Sequence, residues 1–215
     1  VQTSILQLDK ITISRANTPV LSSFSLTINP SEIHWILGPN GVGKTSLLKA
    51  SAGLLALEEG NILWEGKPIS QIRAEQSAAI HYIGHTNGIK LALTVEENLK
   101  LAAAVSGFPT RTSLSEAIKK VGLQQKHDVL CRELSAGQQR RVALARLYYL
   151  SAKLWILDEP FTAMDDEGSQ LISSLFIEHL AKSGAIMAST HRLPTDFNPQ
   201  EGQYFITLQK KAEAK

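Results

Sequence analysis

Residues Gly38-Pro39-Asn40-Gly41-Val42-Gly43-Lys44-Thr45 follow the spacing G-x-x-x-x-G-K-[ST]. Glycines at these intervals let backbone N–H groups turn inward around phosphate oxygens. Lys44 is then expected to reach β and γ phosphates, the Thr45 hydroxyl to bind Mg²⁺, and Ser46 to donate to the α-phosphate. Far along the chain, Leu154-Trp155-Ile156-Leu157-Asp158-Glu159-Pro160 sets two acids after four apolar residues. Neighbouring side chains project differently. Asp158 is expected to hold Mg²⁺ through its water shell, and Glu159 to polarise the attacking water as a general base. Read separately, these are a glycine-rich turn and an acidic turn. Together they would fit many ATPases.

Such chemistry needs elements that hold the groups still. Residues 33–37 form a β-rich run that stops at Gly38, and residues 45–52 predict a helix closed by Gly53. The phosphate loop therefore joins a strand to a helix, whose N-terminus adds about half a positive charge. Residues 154–157 predict a buried central strand, which carries the acids to its C-terminal end, where α/β sheets place ligands. Residues 5–9, 11–13 and 25–28 alternate apolar and polar, as short antiparallel strands do. Residues 61–64 predict another strand, with a hairpin turn at Glu65-Gly66-Lys67. The middle changes character. Thr94 with Glu97 is a capping box opening a helix through about Val105, and further helices are predicted over 113–121 and 135–150. Strands return at 154–157, 185–189 and 204–208. The order predicts an α/β fold with an N-terminal antiparallel portion and an inserted helical subdomain.

Composition narrows the setting. A chain of 215 residues with 43% hydrophobic residues fits one sizeable domain, or one domain with an inserted subdomain. The net charge of +2, with no basic run, gives no footprint for nucleic acid. Lys210 to Lys215 read as a solvated end, and Val1-Gln2-Thr3-Ser4 lack the pattern of a signal peptide. Cys131 is the one cysteine, which suits a reducing compartment and a structural role. The most apolar stretch, residues 142–157, is interrupted by Arg146 and Lys153, short of the roughly 18 to 20 apolar residues of a membrane span. Any membrane role is expected to come through a partner.

Leu134-Ser135-Ala136-Gly137-Gln138-Gln139-Arg140-Arg141 makes the chemistry more specific. It resembles the signature of ABC transporter ATP-binding subunits, with Ala136 where glycine is usual. Ser135 is the expected N-cap, with small residues behind it that let backbone approach a phosphate. The resemblance covers nearly the whole chain. It implies a P-loop NTPase core with a RecA-like parallel sheet, spanning 1–85 and 148–215, and a helical subdomain spanning 86–147. It implies a homodimer in which Ser135, Ala136, Gly137 and Gln138 face the γ-phosphate of ATP bound to the other subunit. Asp165, in Phe161-Thr162-Ala163-Met164-Asp165, would cross the dimer interface. His191, after Ser189-Thr190, would sense the γ-phosphate and steady the attacking water.

Two departures refine this. His85, in Gly84-His85-Thr86-Asn87-Gly88-Ile89-Lys90, occupies the position of the glutamine that links Mg²⁺, through water, to the membrane partner. With the signature and the strand at 154–157, that stretch resembles the subunits of cytochrome c maturation systems, the haem exporter type. Those work at the cytoplasmic face of the bacterial inner membrane with an integral permease, CcmB-like. The second departure is adenine. No aromatic lies between Val1 and Leu21, and Arg15 stands near the place where these proteins stack the base; a guanidinium plane can do the same. Rival readings are the ATPase of another exporter, and a soluble ABC ATPase acting on nucleic acid or ribosomes. The first conflicts with the stretch around His85; the second usually carries two cassettes or long coiled insertions.

Overall fold

A computed structural model describes residues 3–15, 18–71, 79–191, 197 and 202–209. The expected solvated end, Lys210 to Lys215, lies outside them. Among the described residues nine strands and five α-helices follow one another. They are β1 (Leu6–Arg15), β2 (Thr18–Ile28), β3 (Ile33–Leu37), α1 (Lys44–Ser51), β4 (Glu59–Trp64), β5 (Lys67–Pro68) and β6 (Ile80–Ile83). Then come α2 (Val95–Ser106), α3 (Leu114–Lys120), α4 (Ala136–Tyr149), β7 (Leu154–Asp158), α5 (Asp166–Ala181), β8 (Ala185–Ser189) and β9 (Gln203–Thr207).

The strands form two sheets. One is antiparallel in the order β2-β1-β4-β5, and the other is parallel in the order β6-β7-β8-β3-β9. Alternation along the parallel strands sends side chains to opposite faces. Trp35, Trp155, Leu157 and Ile186 join Leu99, Ile118, Val142, Leu144 and Phe176 in the core under α2 to α5. Ile36, Leu154, Ile156 and Met187 face the other way, onto Leu47 and Leu48 of α1 and the buried face of the antiparallel sheet. Covered on both faces, β7 and β8 are buried throughout, as continuous apolar runs should be.

Some local expectations need correction. Residues 5–9 and 11–13 are one strand, not two. A bulge at Lys10 (φ 47°) inserts a residue into the pairing between Leu8 and Ile11. That insertion switches the buried parity, so Leu6, Leu8, Ile11 and Ile13 share one face. The strand expected at 25–28 begins at Thr18; as an edge strand, β2 tolerates Pro19 and exposed serines. Neither β6 nor α5 was anticipated. The four residues of β6 give too short a pattern. In α5, the spacing of Ile172, Leu175, Phe176, His179 and Leu180, all buried, is a legible helical stripe. The helix starts hold as read: Thr94 and Glu97 form the capping box, and Ser135 forms a second one with Gln138.

Candidate active site

Register brings the chemistry to one edge. The parallel pairing sets Ile36 beside Ser189, and Ser189 beside Asp158. Strands β3, β8 and β7 therefore end flush, and the segments leaving them meet. The loop after β3 carries Gly38 to Thr45, β7 delivers Asp158 and Glu159, and β8 delivers Ser189 to His191. Asp158 shares parity with Leu154 and Ile156, so its carboxylate points to the α1 side of the sheet. It accepts a hydrogen bond there from Thr45 Oγ1 at 2.7 Å. Its other oxygen accepts from Ser189 Oγ at 2.6 Å.

The phosphate loop is shaped by glycine. Gly38, Gly41 and Gly43 have φ of 140°, 78° and 109°, a region other residues seldom adopt. A Cβ on Gly38 would lie 2.6 Å from the Leu208 carbonyl oxygen, and one on Gly43 would overlap Val20 Cγ1. Gly43 is also the N-cap of α1 and supplies no side-chain acceptor. The first N–H groups of the helix are thus left for an anion. Lys44 is buried, and its ammonium donates to the carbonyls of Gly38 (2.7 Å) and Pro39 (3.2 Å). It lies 3.4 Å from His191 Nε2.

Glu159 completes the group. Its φ of 51° is left-handed, a costly conformation that persists only when its surroundings over-determine it. Its N–H donates to Ser189 Oγ at 3.0 Å. One carboxylate oxygen lies 2.8 Å from His191 Nε2, and the other accepts from Thr162 Oγ1 at 3.1 Å. A cavity of about 180 Å³ opens here, lined by Arg15, Val20, Asn40, Gly41, Gly43, Lys44, Thr45, Ser46 and Glu159. Loop donors, one ammonium and hard oxygen ligands at Thr45 and Asp158 fit a triphosphate with Mg²⁺.

The structure does not bring every expected residue to this cavity. Ser135 and Gln138 cap each other, and Gln138 Oε1 accepts from Lys126 at 3.3 Å. Gly137 packs where a Cβ would sit 2.7 Å from the Ala163 carbonyl oxygen, so α4 lies close against the segment after Glu159. Asp165 caps α5 and accepts from Arg141 at 2.5 Å. The Gly168 N–H, then Arg141, hold its carboxyl below the ordinary range. His85 is exposed on the loop after β6. Residues that sequence reasoning missed are Ser189, Thr162, Tyr82 and Arg140. The buried hydroxyl of Tyr82 has its pKa raised to about 12, by desolvation and then by Asp158.

A parallel sheet whose loop–helix cradle and paired acids emerge from neighbouring strands defines a P-loop nucleoside triphosphatase. The chain belongs to the ABC transporter family, whose sequence profile matches residues 21–162, and like the ATP-binding subunits of that family it is an ATPase. Relatives named cytochrome c biogenesis ATP-binding export protein CcmA are similar over most of the chain. That of Yersinia pestis is 42% identical over 87% of this chain and 86% of its own. That of Pseudomonas fluorescens is 41% identical over 90% and 93%, and that of Aliivibrio fischeri 39% over 87% and 92%. Among solved structures, an ATP-binding subunit of an ABC transporter superposes with a TM-score of 0.82, covering 95% of this chain and 86% of that one at 23% identity. A putative ABC transporter ATP-binding protein from Pyrococcus furiosus gives 0.78, covering 94% and 96% at 26% identity.

Proposed function

We propose that this chain is the ATP-hydrolysing subunit of an ABC exporter of the cytochrome c biogenesis, haem exporter type. Support comes from the relatives named CcmA and from His85 in the glutamine position. The observation that carries the hydrolytic reading is Glu159 Oε1 at 2.8 Å from His191 Nε2, beside the Thr45–Asp158 pair. In this reading the loop N–H groups and Lys44 bind the triphosphate, and Ser46 reaches its α-phosphate. Glu159 takes the proton of the attacking water, while His191 orients that water and the γ-phosphate. Mg²⁺, held by Thr45, by Asp158 and through water by His85, would neutralise charge on the phosphoryl oxygens. Arg15, at the mouth of the same cavity, stacks on adenine.

Two copies sandwich two ATP, with Ser135 to Gln138 of each on the other's γ-phosphate and Asp165 at the seam. Moving a population from mostly open to mostly closed takes about 5.5 kcal/mol, which two bridging phosphates can supply. Helical residues 86–147 and the loop at His85 pass closure to a separate permease, CcmB-like, so the subunit sits peripherally at the cytoplasmic face of the inner membrane. Among the described residues no helix is long and apolar enough to cross a membrane.

The test is Glu159→Gln. It should bind ATP, form a dimer on a sizing column, and hydrolyse at least about a hundredfold more slowly. Near-normal turnover rejects Glu159 as the base, and a monomer at saturating ATP rejects the sandwich. Co-purification of an integral permease tests the exporter assignment.

A further inference from the structure

One buried guanidinium touches two segments that the proposed mechanism treats separately, residues 158–160 and the loop around His85. Arg140 of α4 is 4% exposed. Its Nη2 donates to the carbonyls of Asp158 (2.7 Å) and Glu159 (3.0 Å), and its Nε to the Pro160 carbonyl at 3.5 Å. Its Nη1 donates to the Gly84 carbonyl (2.9 Å) and to Asn87 Oδ1 (3.1 Å). A guanidinium has five N–H groups, and these five acceptors match them. All five are neutral oxygens. Burial, the main cause, lowers the Arg140 pKa to about 10, still leaving it charged at neutral pH.

A buried charge without a hydrogen-bonded carboxylate partner is costly, and packing alone gives no reason to keep one. The acceptors supply a reason. Glu159 is in a left-handed conformation that must be held. Ser189 holds its N–H, Arg140 and the Thr162 N–H hold its carbonyl, and from this fixed main chain the side chain extends to His191 and Thr162. We propose that Arg140 is a positioning residue for Glu159, fixing the main chain of residues 158–160 so that the carboxylate stays aimed at the attacking water. The inference rests on the reading of Glu159 as general base. It adds that α4, which begins at the signature residues, sets the aim of the base in its own subunit. The loop around His85 hangs from the same side chain through Gly84 and Asn87, and Arg146 of α4 donates to the Asn87 carbonyl at 2.8 Å. A shift of α4 on dimer closure therefore reaches the base and the His85 loop together.

The experiment compares Arg140→Lys, Arg140→Gln, Glu159→Gln and the double variant Arg140→Lys/Glu159→Gln. The readouts are kcat, KM, affinity for a fluorescent ATP analogue, and thermal melting. A lysine keeps the charge but offers three N–H groups, so it cannot hold all five acceptors. Expected results are a kcat at least about tenfold lower in Arg140→Lys, analogue affinity within about twofold of the parent, and a double variant no slower than Glu159→Gln alone, since groups acting as one unit are not additive. Parental kcat in Arg140→Lys overturns the inference, as does a double variant that multiplies the two losses. If both Arg140 variants lose analogue binding or fail to fold, Arg140 is structural and the inference is also overturned. Fast turnover in Glu159→Gln would instead remove the base itself. A slow Glu159→Gln beside a parental Arg140→Lys leaves the base reading intact and removes only the role of Arg140.

Discussion

Ser189 Oγ donates to Asp158 Oδ1 at 2.6 Å and accepts the Glu159 N–H at 3.0 Å, so one hydroxyl stands between the two acids. Both Ser189 and Asp158 are buried. Leaving a buried acceptor without its donor costs about 1–3 kcal/mol. Ser189→Ala is therefore expected to melt several degrees lower and to turn over roughly tenfold more slowly at saturating MgATP. Thermal melts and a phosphate-release assay check this; unchanged turnover would show that Thr45 alone orients Asp158.

Gly137 packs against the main chain of the segment after Glu159, with room for no Cβ beside the Ala163 oxygen. Overpacking of this kind costs about 1–3 kcal/mol. Relief by moving α4 would disturb both the signature and the segment leading to Asp165. Gly137→Ala should thus lower turnover about tenfold or more while leaving nucleotide affinity of the isolated chain close to parental. Titration with a fluorescent ATP analogue beside the hydrolysis assay separates the two effects.

Arg15 lines the cavity that holds Lys44 and Thr45, although it is far from them in sequence. If its guanidinium stacks on adenine, the contact is worth about 0.5–1 kcal/mol at an exposed site. Arg15→Ala should weaken ATP binding roughly two- to fivefold, and should weaken binding of inorganic triphosphate not at all. Equal loss for both ligands would make Arg15 a phosphate contact instead.

Two buried histidines should make stability fall with mild acid. His81 stacks on Phe108, and His179 on Trp155 with centroids 3.7 Å apart. Desolvation first, then Arg146 for His81 and Arg111 for His179, lowers their pKa values from 6.5 to about 3 and about 4. Above pH 6.5 both states are neutral and the stability is fully present. As pH falls below 6.5 the unfolded chain takes up protons that the folded chain refuses until about 4 and 3. Each histidine then removes up to about 1.4 kcal/mol per pH unit. Urea unfolding should lose roughly 4 kcal/mol between about pH 7 and 5, and His179→Gln should remove about half of that slope. His34, also lowered by burial, adds in the same direction.

How much was legible depended on the range of the forces involved. The loop from Gly38 to Thr45 was legible because its shape depends on glycines at fixed spacing within eight residues. The helix starts at Thr94 and Ser135 were legible because a cap acts within four residues. The bulge at Lys10 was not, since it depends on the partner strand. Strand β6 was too short to show a period, whereas the stripe of α5 was present and went unread.

From the chain alone came the residue types that can bind phosphate, hold a divalent cation and move a proton, and the strand–loop–helix units that carry them. Tertiary structure decided which of them meet. Thr45 reaches Asp158 across 113 residues because β3, β8 and β7 are neighbours with flush ends. Ser189 lies between the acids for the same reason. Arg140, indistinguishable in the sequence from the Arg141 beside it, turns its guanidinium under the main chain of Asp158 and Glu159, while Arg141 pairs with Asp165. Sheet order and register are set by long-range packing, which no local spacing encodes, so side-chain encounters between distant strand ends come only with the folded chain.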